Sequence, residues 1–266
     1  MRVAVTGASG KMGQLLIQET LRSSHHTLAL ALDRDESPML GRDAGSLLGE
    51  ASGVVITQDL AGLAGVDVLI DFTRPEASLL YMDACERHGV RLVLGTTGFD
   101  AQGLSRVHDF AKRQPLVFAP NMSVGVNLLL RLVETAAHAL KTGYDIEIIE
   151  AHHRQKVDAP SGTALEMGRV AARASGRRLE HDAVYSRQGH TGARTDSEIG
   201  FSVIRGGDIV GDHTVLFAGM GERIELTHRS SSRATYAQGA LRAASFLREA
   251  APGLYDMQDV LGLKAQ

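Results

Sequence analysis

One cysteine, Cys85, is all the chain has for thiol chemistry, so it forms no internal disulfide and suits a reducing compartment. Cys85 falls inside an apparent helix, 75–88, where a sulfur filling the core is expected rather than a nucleophile. No run of about 18 apolar residues is present to span a bilayer. The opening residues, Arg2-Val3-Ala4-Val5-Thr6-Gly7, read as a strand and a turn, not as a charged segment followed by an apolar leader. Basic residues are not in excess: 28 Lys and Arg stand against 31 Asp and Glu, leaving a net charge of −3 and no field for nucleic acid. Two histidines are adjacent, His152 and His153, but neighbours on a strand face opposite ways and no His-Glu-x-x-His spacing occurs, so no metal is expected. Lys141-Thr142-Gly143 matches one element of a penicillin-binding site, yet no Ser-x-x-Lys accompanies it and it reads as a turn. Internal repeats and low-complexity segments are missing too. What remains is a globular protein expected in the cytoplasm, with neither nucleic acid nor membrane as partner.

What the chain has in plenty is glycine, 29 of 266 residues, the mark of tight turns and close backbone approaches. The first cluster follows an apolar strand over 2–6: Gly7-Ala8-Ser9-Gly10-Lys11-Met12-Gly13, then a helical pattern through Leu15, Leu16, Ile17 and Leu21. Strand, glycine turn and helix form the context in which such spacing signals a dinucleotide site. Against the usual Gly-x-Gly-x-x-Gly, Gly10 and Gly13 fill the last two positions and Ala8 stands at the first. A second apolar run, Thr27 to Leu32, ends in Asp33-Arg34. An acid there can accept from ribose hydroxyls, and the arginine can pair with a 2′-phosphate, so tolerance of NADH and NADPH is expected.

The alternation continues with a buried strand at 66–72, a helix opened by Pro75, a strand at 91–94 ending in Gly95-Thr96-Thr97-Gly98, a helix over 100–113, and a strand at 116–119 ending in Pro120-Asn121-Met122-Ser123. Repeated βα units predict a parallel, doubly wound sheet with its ligand beyond the carboxyl ends of the strands. The turns at 7–13, 33–34, 72–74, 95–98 and 119–123 all fall there. After Ser123 the pattern changes to a long helix, 124–140, strands at 145–152, 199–204, 212–218 and 222–228, and a helix over 161–174. Residues 177–197 read as a long polar loop, and a helical pattern over 233–249 precedes a short tail. The fold class is therefore α/β: an N-terminal Rossmann-like doubly wound parallel sheet, with a second α+β domain built on an open mixed sheet. We expect a dinucleotide-binding domain over 1–123, with 233–266 packing back on it, and a substrate-binding, catalytic and oligomerisation domain over 124–232.

The densest chemistry lies in Glu150-Ala151-His152-His153-Arg154-Gln155-Lys156-Val157-Asp158-Ala159-Pro160-Ser161-Gly162-Thr163-Ala164. It joins a strand to a helix N-terminus, where backbone N–H groups and polar side chains can meet an anion. Thr163 and Glu166 stand at the spacing of a capping box.

This stretch resembles the signature of the dihydrodipicolinate reductase family, and so do Gly7 to Gly13, Phe72-Thr73-Arg74-Pro75, Gly95 to Gly98, Ala119 to Asn127 and Arg205 to His213. The resemblance implies a two-domain, homotetrameric reductase of lysine and diaminopimelate biosynthesis, in which NADH or NADPH reduces a cyclic unsaturated imine dicarboxylate to tetrahydrodipicolinate. It implies cofactor contacts at Gly7, Ala8, Ser9, Gly10, Lys11, Met12, Asp33, Arg34, Gly95, Thr96, Thr97, Ala119, Pro120, Asn121 and Met122. His152 matches the family's proton donor, Lys156 its second catalytic residue, and His153, Gly162 and Thr163 its substrate contacts. Asp33 is shorter than the glutamate often found in its place, and Met122 stands where an aromatic is common. Arg154 and Asp158 receive no role. A nicotinamide-binding regulator without turnover is the alternative, against which the charged loop around His152 and Lys156 speaks.

Overall fold

Val3, Ala4 and Val5 are fully buried in β1 (Arg2–Thr6), as expected of a strand covered on both faces. The chain then runs through α1 (Lys11–Arg22), β2 (Thr27–Leu32), β3 (Ile56–Thr57), β4 (Val68–Asp71), α2 (Pro75–His88), β5 (Arg91–Leu94), α3 (Ala101–Ala111) and β6 (Pro115–Phe118). Short 3-10 turns at Ser46–Leu48 and Leu60–Leu63 lie between β2 and β4. Next come α4 (Val124–Ala139), β7 (Tyr144–His152), α5 (Gly162–Ser175), α6 (Leu179–Asp182), β8 (Ala183–Val184), β9 (Ile199–Arg205), β10 (Gly211–Gly219) and β11 (Arg223–Ser230). The last elements are α7 (Ala234–Leu247), β12 (Gly253–Tyr255) and α8 (Met257–Val260). This computed structural model describes residues 1–264, which form two units, 1–124 with 234–264, and 125–233.

The first unit holds a seven-stranded sheet in the order β12-β6-β5-β4-β1-β2-β3, every pairing parallel. From β3 to β6 this is the dinucleotide-fold order, with its reversal between β1 and β4. One core joins Val3, Val5 and Ile70 to Leu16 and Ile17 of α1 and to Ala240, Ala244 and Leu247 of α7. A second joins Ala4, Leu69 and Leu92 to Met82 and Cys85 of α2 and Phe110 of α3. Cys85 is therefore core filler, and burial pushes its thiol far up, away from the reactive thiolate. Proline at the first turn of α2 and Gly89 in the left-handed region at its end set that helix's limits. The short tail is not featureless, because β12 adds a parallel strand beside β6.

The second unit carries a mixed sheet in the order β11-β10-β7-β9-β8. β10 runs antiparallel to β7 and β11, while β9 runs parallel to β7 and β8. Alternation puts Ile146, Ile148, Phe201, Val215 and Phe217 on one face, packed with Val126 and Val133 of α4 and Met167 and Ala171 of α5. On the opposite face Ile149 and Leu216 are half-buried and Ile204 is 52% exposed. The polar segment over 177–197 is only partly loop, since α6 and β8 interrupt it. Among the described residues no helix is long and apolar enough to cross a membrane.

Candidate active site

Two polar clusters stand out, one in each unit. In the second, the strand period places Glu150 and His152 on the same face of β7 as Ile146 and Ile148. Sheet register sets His213 of β10 opposite Glu150, and Arg205 of β9 beside His152. Glu150 is 1% exposed and is bound on all sides. Its Oε2 lies 2.6 Å from His152 Nδ1. Arg205 donates to Oε2 and Oε1 at 2.8 Å each, and the Ser161 N–H donates to Oε1 at 3.0 Å. Burial works to raise the Glu150 pKa, yet these donors together hold it below the ordinary carboxylate range. His152 moves below its ordinary value, first through burial and then through the charges of Lys156 and Arg205, while Glu150 pulls it back up.

Ser161 closes this cluster and starts α5. Its Oγ accepts from the Ala164 N–H at 3.2 Å, which makes Ser161 the N-cap; a Thr163–Glu166 box is not what opens the helix. The same Oγ lies 3.2 Å from His213 Nε2. Gly162 and Thr163 are thus the first two helical residues, and a Cβ built on Gly162 meets nothing within 4 Å. Lys156 Nζ reaches Asp158 Oδ1 at 2.9 Å, which gives Asp158 a partner and holds its carboxyl below the usual range. His153 Nε2 lies 3.3 Å from a guanidinium nitrogen of Arg233, and its buried Nδ1 is without a hydrogen-bond partner. Arg154 offers its backbone N–H to Gly207 and projects an exposed side chain.

In the first unit, the carboxyl ends of β1, β2, β5 and β6 carry the segments 7–12, 33–34, 95–97 and 119–122. Gly7, at φ +61°, makes the tight turn, with its carbonyl accepting from the Gly10 N–H at 2.8 Å. That gives the first-glycine position to Gly7 rather than Ala8. A Cβ on Gly13 would sit 2.0 Å from the Gly7 oxygen, so helix and turn can close only over glycine. Gly10 caps α1 without a side-chain hydrogen bond, and a glycine turn leading into such an uncapped helix start fits the pyrophosphate of a dinucleotide. Asp33 accepts from the Ser9 N–H at 2.9 Å, the Arg34 N–H at 2.9 Å and the Ser37 hydroxyl at 3.1 Å. It therefore braces the glycine turn from the second strand, and it keeps a depressed pKa despite burial. Lys11, Arg34, Thr97 and Pro120 are exposed, whereas Ala8, Thr96, Ala119 and Met122 are buried.

A carboxylate not singled out by sequence ties these loops together. Asp71 is 0% exposed at the end of β4. It accepts from the Thr6 hydroxyl at 2.7 Å, the Thr73 N–H at 3.0 Å and the Thr73 hydroxyl at 2.6 Å, and also from Ser78. The Ser78 hydroxyl lies 2.9 Å from Thr96 Oγ1, so the end of β1, the 72–74 turn, α2 and the 95–97 turn share one anchor. The signal was available: an acid ending a wholly apolar strand must be satisfied by its neighbours. Glu150 also left a trace, since Glu-x-His on a strand puts both side chains on one face. Arg205, Ser161 and His213 reach that face only through sheet register and chain reversal.

Residues 1–122 match the family model described as Dihydrodipicolinate reductase, N-terminus, and residues 125–261 match Dihydrodipicolinate reductase, C-terminus. The chain belongs to the dihydrodipicolinate reductase family. Among curated relatives named 4-hydroxy-tetrahydrodipicolinate reductase, one from Thiobacillus denitrificans is 61% identical over 265 residues, covering 99% of each chain. Another, from Cupriavidus pinatubonensis, is 61% identical over 99% of this chain and 100% of its own. Within the reductase family, a solved dipicolinate-bound dihydrodipicolinate reductase from a Paenisporosarcina species aligns at TM-score 0.78 and 26% identity, over 97% of this chain and 98% of that one. A probable dehydrogenase from Thermotoga maritima, at 12% identity and TM-score 0.63 over 98% and 92% of the two chains, shares the fold alone.

Proposed function

We propose that this chain is a 4-hydroxy-tetrahydrodipicolinate reductase, reducing the cyclic imine dicarboxylate to tetrahydrodipicolinate with NADH or NADPH, in lysine and diaminopimelate biosynthesis. One observation carries the reading: both units match the family while the 152–163 segment joins a buried histidine, a lysine and the start of α5.

When bound, the nicotinamide cofactor supplies the hydride. Gly7 to Met12 would hold its pyrophosphate at the start of α1, Asp33 its ribose and Arg34 a 2′-phosphate. Gly95 to Thr97 and Ala119 to Met122 would line the nicotinamide end. His153, Gly162 and Thr163 bind the substrate carboxylates, the last two through the first N–H groups of α5 and the Thr163 hydroxyl. Lys156 adds a positive charge that favours an electron-rich intermediate or a carboxylate. Addition of hydride to a conjugated imine leaves an enamine that needs a proton, and His152 delivers it from its ring. We propose further that the enzyme is a cytoplasmic homotetramer, with the outer face of the second sheet, bearing Ile149, Ile204 and Leu216, as the surface that packs between copies; sedimentation of the purified protein tests the assembly.

The decisive measurement is nicotinamide oxidation with the cyclic dicarboxylate. His152→Ala should lower kcat by roughly 10²-fold or more, and Lys156→Ala should lower kcat as well. Near-normal kcat in His152→Ala would remove it as donor, and a loss confined to KM would make Lys156 a binding residue. Absence of turnover in the wild type would leave a cofactor-binding regulator.

A further inference from the structure

We propose that Glu150, locked by Arg205, is a positioning residue that holds the His152 ring in one tautomer, so that Nε2 carries the transferred proton. The proposal rests on the reading of His152 as proton donor. Glu150 does not face a ligand: an ionised carboxylate offers about four acceptor positions, and His152, two guanidinium nitrogens and the Ser161 N–H occupy them. A carboxylate only accepts, so the ring nitrogen 2.6 Å away must be the N–H, and the proton free to leave sits on Nε2. Nε2 in turn faces space kept by a glycine, since a Cβ on Gly211 would stand 3.1 Å from it. In the reaction the imidazolium gives its Nε2 proton to the substrate carbon that becomes C–H. The ring returns to the neutral Nδ1–H form with its bond to Glu150 unbroken.

Four charged or titratable groups face His152: Glu150 from its own strand, Arg205 from β9, His213 from β10 and Lys156 from the following loop. Only the carboxylate favours the imidazolium. Removing the Glu150 charge and removing the Arg205 charge should therefore move the titration of His152 in opposite directions, which a purely structural role would not do.

The test uses the full-length enzyme with NADH and the cyclic dicarboxylate, comparing wild type, Glu150→Gln, Arg205→Gln and His152→Ala. Glu150→Gln should lower kcat about tenfold or more with KM within about threefold. It should also move the basic limb of the kcat profile about one pH unit toward acid, and Arg205→Gln should move that limb toward base. Limbs that stay put, or that shift the same way, overturn the proposal. If His152→Ala keeps its kcat, the donor reading itself falls. If His152→Ala is inactive while Glu150→Gln titrates as wild type, only the positioning role falls. Should either charge variant fail to fold, nitrogen-15 shifts of His152 in the wild-type protein decide, because the Nδ1–H tautomer is required and the Nε2–H tautomer overturns it.

Discussion

Acidification should loosen the second unit through His213. This ring is 4% exposed, lies edge-on to His152 with centroids 5.1 Å apart, and has a buried Nδ1 with no hydrogen-bond partner. Protonating it would make both ring nitrogens donors, with only the Ser161 hydroxyl within reach of one of them and another histidine alongside. Burial first, and the neighbouring His152 next, push its pKa from the ordinary 6.5 down to about 4. The folded value lies below the unfolded one, so between these pH values the unfolded chain takes up a proton that the folded chain refuses. The stability tied to a neutral His213 is complete above pH 6.5 and is lost as pH falls toward 4. A shift of about 2.5 pH units corresponds to about 3 kcal/mol, or roughly 300-fold in the unfolding equilibrium once both states are protonated. Peptide-level hydrogen exchange of β10 reads this unit without the other. His213→Gln keeps a polar atom near Ser161 but cannot titrate. The ratio of β10 protection in wild type to that in His213→Gln should hold steady from pH 8 to 7 and fall roughly a hundredfold by pH 4. A ratio independent of pH would mean that His213 titrates alike folded and unfolded, and the burial account would be wrong.

Two further outcomes follow from the first unit. Arg34→Ala should raise KM for NADPH about tenfold while changing KM for NADH much less, because an exposed guanidinium serves a 2′-phosphate and not a hydroxyl; equal losses for both cofactors would remove that role. Asp71→Ala should cost about 2 kcal/mol in urea denaturation of the first unit, since it leaves the part-buried Thr73 N–H without its acceptor; a change under about 0.5 kcal/mol would show that the anchor is dispensable.

The parallel sheet was readable because fully buried strands such as Val3-Ala4-Val5 and Val68-Leu69-Ile70 are unbroken apolar runs, each closed by a turn signal. The strands of the second sheet showed in the alternation of Ile199, Phe201 and Val203 and of Ile224 and Leu226, although Val203 turns out exposed. What escaped were elements too short for any period to register: β3 and β8 are two residues each, and β12 is three. These strands exist because a neighbour's edge offers them hydrogen bonds, not because their own residues demand it. The site divides along the same line. Local motifs pointed to the glycine turn, to Asp33 and to the run from His152 to Thr163. The partners of His152 were hidden, because Arg205 lies 55 residues beyond Glu150 in the chain and reaches it across a strand pair. Asp158 had no role in the sequence reading because its ion pair with Lys156 depends on how the loop turns back.

The core shared by α1 and α7 has a bearing on how the chain is made. Ala237, Ala240, Ala244 and Leu247 complete one face of the first sheet, and β12 pairs with the strand at its edge. All of these residues leave the ribosome after the second unit. A nascent chain that has released only its first 124 residues therefore carries an apolar sheet face and an unpaired β6 edge, the surfaces on which unfinished chains stick to one another. The unit over 125–233, by contrast, is continuous and holds its own core in α4, α5 and the five-stranded sheet. During synthesis the later unit can finish first, and the earlier one waits for α7, β12 and α8.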